Sequence, residues 1–180
     1  GLVWSYNLES TRGVEATPLV VDGIMYITAS WSVVHAVDTR TGQRLWTFDP
    51  QVDKSKGFRG CCDVVNRGVA IYEGNVYVAD LNNCTIRKIV AATGVVTTLA
   101  GTAGAQGYTD GIGPAARFTF PHSVAVDSAG TTVYVSDAFN QVVRKINVST
   151  GAVTTLAGYQ PDGIVGDVDG TGSNARLNFP

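Results

Sequence analysis

The chain has little of what builds a reactive centre from local sequence. It carries two histidines, one methionine and three cysteines in 180 residues. His35 and His122 stand alone, without a partner at metal-ligand spacing, and read as structural residues. No Ser, His and Asp set sits in a local nucleophile motif, and "GTAGAQG" (101–107 region) does not open a helix, so neither a hydrolase nor a phosphate loop is supported. Charge of either sign is sparse and balanced: 13 basic against 15 acidic residues, net -2, with no Lys/Arg run. That excludes a phosphate-binding stripe and with it nucleic acid as a partner. No apolar run reaches the roughly 18 to 20 residues of a bilayer-spanning helix, so no membrane span is expected. A convincing amphipathic helix of about ten residues is also missing.

What is present is repetition. Residues 76–101, "VYVADLNNCTIRKIVAATGVVTTLAG", return as 133–158, "VYVSDAFNQVVRKINVSTGAVTTLAG", a displacement of 57 positions. "DGIGPAARFTFP" (110–121) returns as "DGTGSNARLNFP" (169–180), displaced by 59. The expectation is a chain that stops as another repeat begins. Within each unit, "SVAVDS", "TVYVSDA", "VVRKINV" and "AVTTLAG" are short apolar or alternating runs separated by Gly, Asp, Asn or Ser turn signals. The first half keeps the same rhythm in "ATPLVVDG", "MYITAS", "SVVHAVDT" and "QRLWTFDP". Four strands per unit make a propeller blade, and a hydrophobic fraction of 44% supplies one sizeable core. The expected fold is all-β: a β-propeller of four-stranded antiparallel blades, about three of them, with a lone strand at each end ("LVWSYNL" and "ARLNFP"). Such a ring, which usually takes four to eight blades, is completed by self-association, added segments or a larger parent.

Two features bear on chemistry. Cys61 and Cys62 are adjacent in "GCCDVVNRG". Neighbouring Cα atoms lie about 3.8 Å apart, whereas a disulfide prefers about 4.4 to 6.8 Å, so the pair bonds only as a strained ring or stays as two thiols. The pair and the sequons at Asn83 ("NCT") and Asn147 ("NVS") point to a secreted glycoprotein in an extracellular or periplasmic space. Cys84, the odd thiol, is open to pairing between chains. The acidic stretch "DGIVGDVDGTG" offers Asp162, Asp167 and Asp169 as oxygen donors but lacks the spacing and closing Glu of a calcium loop, and reads as solvated.

The residues also carry two resemblances. Residues 1–75, through "RGVEATPLVVDGIMYITASWSVVHAVDTRTGQRLWTFDPQV" and "GCCDVVNRGVAIYEGNVYV", resemble the N-terminal blades of quinoprotein alcohol dehydrogenases that use pyrroloquinoline quinone (PQQ). Residues 76–180 resemble NHL repeats, through "VYVADLNNCTIRKI", "DGIGPAARFTFPHSVAVDSAG" and "VYVSDAFNQVVRKI". The two patterns meet near "YEGNVYVAD", so the chain reads as chimera-like within one continuous propeller unit. The quinoprotein resemblance implies that Cys61 and Cys62 form a vicinal disulfide against one face of PQQ, with Glu15 of "EATP" and Arg67 at its polar edges. A guanidinium near a quinone oxygen favours the negative charge that develops on reduction. The same resemblance places the covering tryptophan, the Ca²⁺ ligands and the catalytic aspartate in later blades, outside these motifs. Trp4 and Trp46 match its blade-packing position, and Trp31 is expected to face the central channel.

From these motifs the expected function is a propeller scaffold or interaction module, without a complete catalytic site, that binds a protein partner or itself through loops or terminal strands. Two alternatives stand beside it: a segment or subunit of a PQQ-dependent alcohol dehydrogenase, and an extracellular structural subunit assembling through incomplete terminal blades.

Overall fold

The computed structural model describes residues 3–10, 14, 16–52, 68–159 and 165–180. Short alternating runs fold into three antiparallel sheets. Blade 1 holds β1 (Leu19–Val21), β2 (Ile24–Thr28), β3 (Val34–Asp38) and β4 (Arg44–Phe48) in sequence order. Blade 2 holds β5 (Val69–Tyr72), β6 (Asn75–Asp80), β7 (Thr85–Val90) and β8 (Val96–Gly101), again in order. Blade 3 holds β10 (Pro121–Val126), β11 (Thr132–Asp137), β12 (Val142–Asn147) and β13 (Ala152–Ala157), with the two-residue β9 (Gly111–Ile112) added beside β13. The up-and-down order follows from turns too short for any other connection. In "VDGI" and "YEGN" both turn residues have positive φ (Asp22 51°, Gly23 76°; Glu73 40°, Gly74 72°), the twist that suits a two-residue hairpin. In blades 1 and 3 the last hairpin is closed by a side chain: Asp38 Oδ1 accepts Arg40 N and Thr41 N, and Asn147 Oδ1 accepts Ser149 N and Thr150 N. Such turns need a short acceptor at this point and a Gly beyond it.

Each blade also has a register shift between its third and fourth strands, at Ala36/Val37, Ile86/Arg87 and Val143/Arg144. A bulge re-aims the side chain beside it, and in blades 2 and 3 that side chain is an arginine.

Two apolar clusters hold the blades together. Tyr26, Val34, Ala36 and Phe48 of blade 1 meet Val69, Val76, Val78 and Ile89 of blade 2. The opposite face of blade 2, with Ala70, Tyr77, Ala79, Ile86 and Ala100, meets Val133, Val135, Ile146 and Val153 of blade 3 together with Ala116 and Phe118. Blade 2 is therefore buried on both faces. Fully burying a Val or Ile contributes about 1.5–3 kcal/mol each, which makes these two seams the main source of stability.

The segments expected as lone terminal strands are extended chain without ladders of their own. Residues 3–10 run along blade 1, where Trp4 Nε1 donates to Thr39 O at 2.8 Å. Residues 165–180 fold back on themselves through one bridge, Val168 to Arg176, and meet blade 3 through Gly158 N donating to Gly172 O and Phe179 N donating to Gln141 Oε1. Among the described residues there is no α-helix, and no helix is long and apolar enough to cross a membrane.

Candidate functional site

Antiparallel order puts every connection between blades at one end of the sheets. The starts of β1 and β5 and the end of β4 share that end with the Ser30–Ser32 turn between β2 and β3. Glu15, Cys61, Cys62 and Arg67 lie outside the described residues. Their flanking residues, Val14 and Ala16 on one side and Val52 and Gly68 on the other, belong to the connections that leave from this end.

A cavity of about 390 Å³ opens at the same end of blade 1. Its wall includes Glu9, Trp31, His35, Arg44, Thr47 and Asp49. His35 comes from β3 and is 3% exposed. Its Nδ1 lies 3.0 Å from Tyr6 Oη and 3.2 Å from Thr47 Oγ1, and its Nε2 has no protein partner. Burial, then the Arg44 charge, holds the imidazole below its usual pKa, against a smaller pull from Glu9, so the ring is neutral at pH 7. Arg44 and Glu9 face each other at 3.8 Å across the exposed rim. Trp31 has φ 66° and ψ 24°, and Ser32 follows at φ 59°, a left-handed pair that bulky residues rarely adopt. Trp31 thus lines this blade 1 cavity; its expected place toward the central channel rested on sequence alone.

The motif repeats supply a second polar constellation, which is structural. Asp137 Oδ1 accepts Thr119 N at 2.8 Å, and its Oδ2 accepts Asn140 Nδ2 at 2.8 Å and Arg144 Nη1 at 3.0 Å. Arg144, fully buried, also donates to Asp110 Oδ1 at 2.6 Å and to the Thr109 and Arg117 carbonyls. The lock ties β11 and β12 to the connection before the blade. In blade 2 the same positions hold Asp80, Asn83 and Arg87. Asn83 Nδ2 donates to Asp80 Oδ2 at 3.0 Å, but Arg87 stays at 3.7 Å and Asp80 Oδ1 has no partner. Burial pushes both Asp80 and Asp137 up to about 6, against the pull of these donors.

Two expectations change here. Cys84 is fully buried, with its thiol pushed up by burial, so it does not offer a sulfur to another chain. Asn83 has its amide nitrogen engaged by Asp80 and by the Pro50 carbonyl, so a glycan there would dismantle the lock. Asn147 is exposed, and its Oδ1 closes the hairpin. Asp167 and Asp169 are exposed, and Asp162 lies outside the described residues. His122 is buried in β10. The tryptophans keep their expected place: Trp46 Nε1 donates to Ala91 O of blade 2 at 2.8 Å, as Trp4 does to Thr39 O of blade 1.

The family model "PQQ: Glucose/ethanol/alcohol dehydrogenase, beta-propeller domain" matches residues 2–161. The chain belongs to this family. Among curated PQQ-family relatives, the quinohemoprotein alcohol dehydrogenase of Comamonas testosteroni is 71% identical over 94 residues, 52% of this chain and 13% of that protein. The 1-butanol dehydrogenase (cytochrome c) of Thauera butanivorans is 65% identical over 94 residues, 52% of this chain and 14% of that protein. The chain therefore spans about an eighth to a seventh of the length of these relatives. The crystal structure of the Comamonas testosteroni enzyme superposes with a TM-score of 0.65 at 43% identity, covering 90% of this chain and 24% of that one. A Bacteroides thetaiotaomicron protein of unknown function, at 23% identity and TM-score 0.67, shares the fold alone. The PQQ-family match runs through residue 161 and so crosses the motif boundary near residue 75.

Sequence motifs pointed to the half-site at Glu15, Cys61, Cys62 and Arg67 but not to the cavity. Its contacts join residues 12 to 29 positions apart, such as His35 with Thr47 and Tyr6, and no local pattern marks them.

Proposed function

We propose that the chain supplies a PQQ-dependent alcohol dehydrogenase with the propeller segment that forms one side of its quinone site, and that alone it is a propeller module without a complete catalytic centre. The observation that carries this reading is the family match across residues 2–161, which includes all four half-site residues. The placement of their connections at one end of blade 1 supports it. The donor set suits a planar, carboxylated quinone. A flat Cys61–Cys62 sulfur pair would lie on its ring face, Arg67 would meet its anionic oxygens, and Glu15 would accept from its N–H. PQQ supplies the two-electron acceptor when bound; the residues of this chain bind and orient it, while Ca²⁺ and the catalytic base come from elsewhere. An extracellular or periplasmic location suits a cystine of this kind.

The test is a titration of the oxidised protein with PQQ, with and without Ca²⁺, followed by tryptophan quenching. Saturable binding in the micromolar range, about -8 kcal/mol, abolished in Cys61→Ser/Cys62→Ser, is the expected outcome. Binding indifferent to both cysteines would remove the proposal.

A second reading, an interaction module that contacts a protein partner or another copy of itself, is favoured by one observation. Tyr134 of blade 3 is 36% exposed while Tyr77, its counterpart in blade 2, is 1% exposed under the next blade. The same face of blade 3 is thus open to a further sheet, either in a larger parent or in an extracellular structural assembly. In that reading residues 76–180 are NHL-like blades joined to quinoprotein-like residues 1–75 inside blade 2, after Asn75 at the start of β6.

A further inference from the structure

We infer that the sheet seated on the open face of blade 3 is a further blade of the 57-residue repeat type, presenting an arginine at the place of Arg144, and not a blade of the blade 1 type. The inference rests on the interaction-module reading and names the chemistry of the partner. On the blade 2 face that blade 3 covers, Tyr77 is 1% exposed and Ile86 and Ala100 are fully buried. Their counterparts 57 positions on are Tyr134, Val143 and Ala157. Tyr134 is exposed, and Val143 and Ala157 are only half-buried. Side chains of the same kind thus stand in the same register, covered in one blade and open in the next.

Charge selects between the two kinds of blade. In the connection before blade 3, Asp110 Oδ1 accepts from Arg144 Nη2 at 2.6 Å and Asp110 Oδ2 accepts from Thr155 N at 3.1 Å. Beside it, Gly111 and Ile112 pair with Val153 and Ala152. "DGTGSNARLNFP" repeats that connection 59 positions on, so Asp169 and the Gly170–Thr171 backbone stand where a sheet on blade 3 would meet them. Asp169 is exposed and has no hydrogen bond or ion pair with a described residue. A carboxylate that loses its water under an arriving sheet needs a cation or donors in exchange.

Arg144, Arg87 and His35 hold one register position, since each opposes a fourth-strand threonine: Thr155, Thr98 and Thr47. A repeat-type blade therefore brings a guanidinium to Asp169. A blade of the blade 1 type brings a shorter imidazole, neutral at pH 7 and engaged at Nδ1 by Tyr6 and Thr47. Only the first neutralises the carboxylate. A second copy of this chain does not offer such a sheet, because both of its arginine-bearing faces are already covered. Arg87 lies over Phe48 of blade 1 at 5.5 Å, and Arg144 lies over Phe118 at 5.2 Å.

The experiment extends the whole chain. One form carries a second copy of residues 122–158 joined after Pro180, the counterpart of Pro121, with the added tyrosine replaced by phenylalanine so that its peptide differs in mass. The other carries residues 16–48 at the same junction. Hydroxyl-radical labelling read by peptide mass should show Tyr134 falling to the level of Tyr77 in the first form and unchanged in the second. In the first form Asp169→Asn should speed amide exchange at Thr171 and Gly172 by about tenfold, the change in opening that loss of one charge-assisted hydrogen bond brings. A variant of the unextended chain tests the same rule without any added sheet. There Asp110→Asn should speed exchange at Ile112 and Gly113 by about as much while the amides of β2 and β3 keep their rates. Equal protection of Tyr134 by residues 16–48 overturns the proposal but keeps the interaction reading, since a further sheet still docks. Protection by neither form overturns both. Exchange unchanged in Asp169→Asn or in Asp110→Asn, or a rise in β2 and β3 as well, also overturns the proposal. No arm contains PQQ, so each outcome leaves the quinone reading untouched.

Discussion

Arg144 and Arg87 occupy the same position in successive repeats yet stand in different electrostatic settings. Arg144 is sealed between Asp137 and Asp110 with neither nitrogen of its fork idle. Arg87 reaches Asp80 only at 3.7 Å and lies over the Phe48 ring at 5.5 Å. Removing one partner of a buried ion pair costs about 3–5 kcal/mol because the other charge stays buried. Arg144→Met should therefore cost about that much in urea unfolding, and Arg87→Met about 1–3 kcal/mol, the scale of a weaker polar contact. Equal losses would show that the two locks are equivalent. Asp80 gives a pH dependence of definite sign. Its carboxyl titrates near 6 in the fold and near 3.9 in an unfolded chain, so the native state holds the proton more tightly. Stability is then fullest below about pH 4 for this group and is lost as pH rises through about 6. Asp137, also near 6, adds to the same slope. Asp80→Asn should flatten part of the fall in urea midpoint between pH 4 and 7; an unchanged slope would assign it elsewhere.

At the scale of elements, a tryptophan from one strand rests on the hairpin of the next blade. A Cβ built on Gly42 would lie 2.7 Å from the Trp4 ring, whereas one on Gly94 would lie 3.5 Å from Trp46. Both glycines have positive φ, 73° and 69°, so alanine costs about 1 kcal/mol at either from backbone alone. Gly42→Ala adds the collision with Trp4 and should cost more than Gly94→Ala, by about 1–3 kcal/mol as for an overpacked contact. In a Trp4→Ala background that surplus should vanish. Thermal melts of the four variants check it, and a surplus that persists would mean the ring is not the obstacle. Strands were the most legible elements, since alternation in "NVYVAD" or "TVYVSD" translates directly into β6 and β11. β9 was not, because "GI" has no alternation and owes its conformation to backbone pairing with Ala152 and Val153.

Across the whole molecule, the four-strand rhythm and the 57-residue repeat were enough to foresee three sheets, because each strand is specified by its own residues. Contacts between blades were legible only where a conspicuous residue made them, as Trp46 does. The burial of Arg144 could not be foreseen, since the partners that make it tolerable lie 7 and 34 residues away. For the candidate site, adjacency of Cys61 and Cys62 announced itself in the sequence, whereas the cavity around His35 exists only once a segment as distant as residues 6–9 is laid against β3 and β4.

The joints on either side of blade 2 share one kind of side-chain contact and differ in their backbone. On one side Trp46 of blade 1 settles on the Ala91–Gly94 hairpin, a contact that only a large aromatic on one sheet and a bare glycine on the other can make. On the other side the chain leaving β8 lends β9 to blade 3, and Gly113 N donates to Gly151 O at 2.9 Å. That second joint adds main-chain hydrogen bonds, nearly blind to side-chain identity, to an aromatic-on-glycine contact of its own, Tyr72 of blade 2 over Gly130 of blade 3. Blade 2 thus meets both neighbours through an aromatic set on a bare glycine, and a lineage exchanging blades by recombination faces that reading frame at each seam, with a backbone splice added downstream.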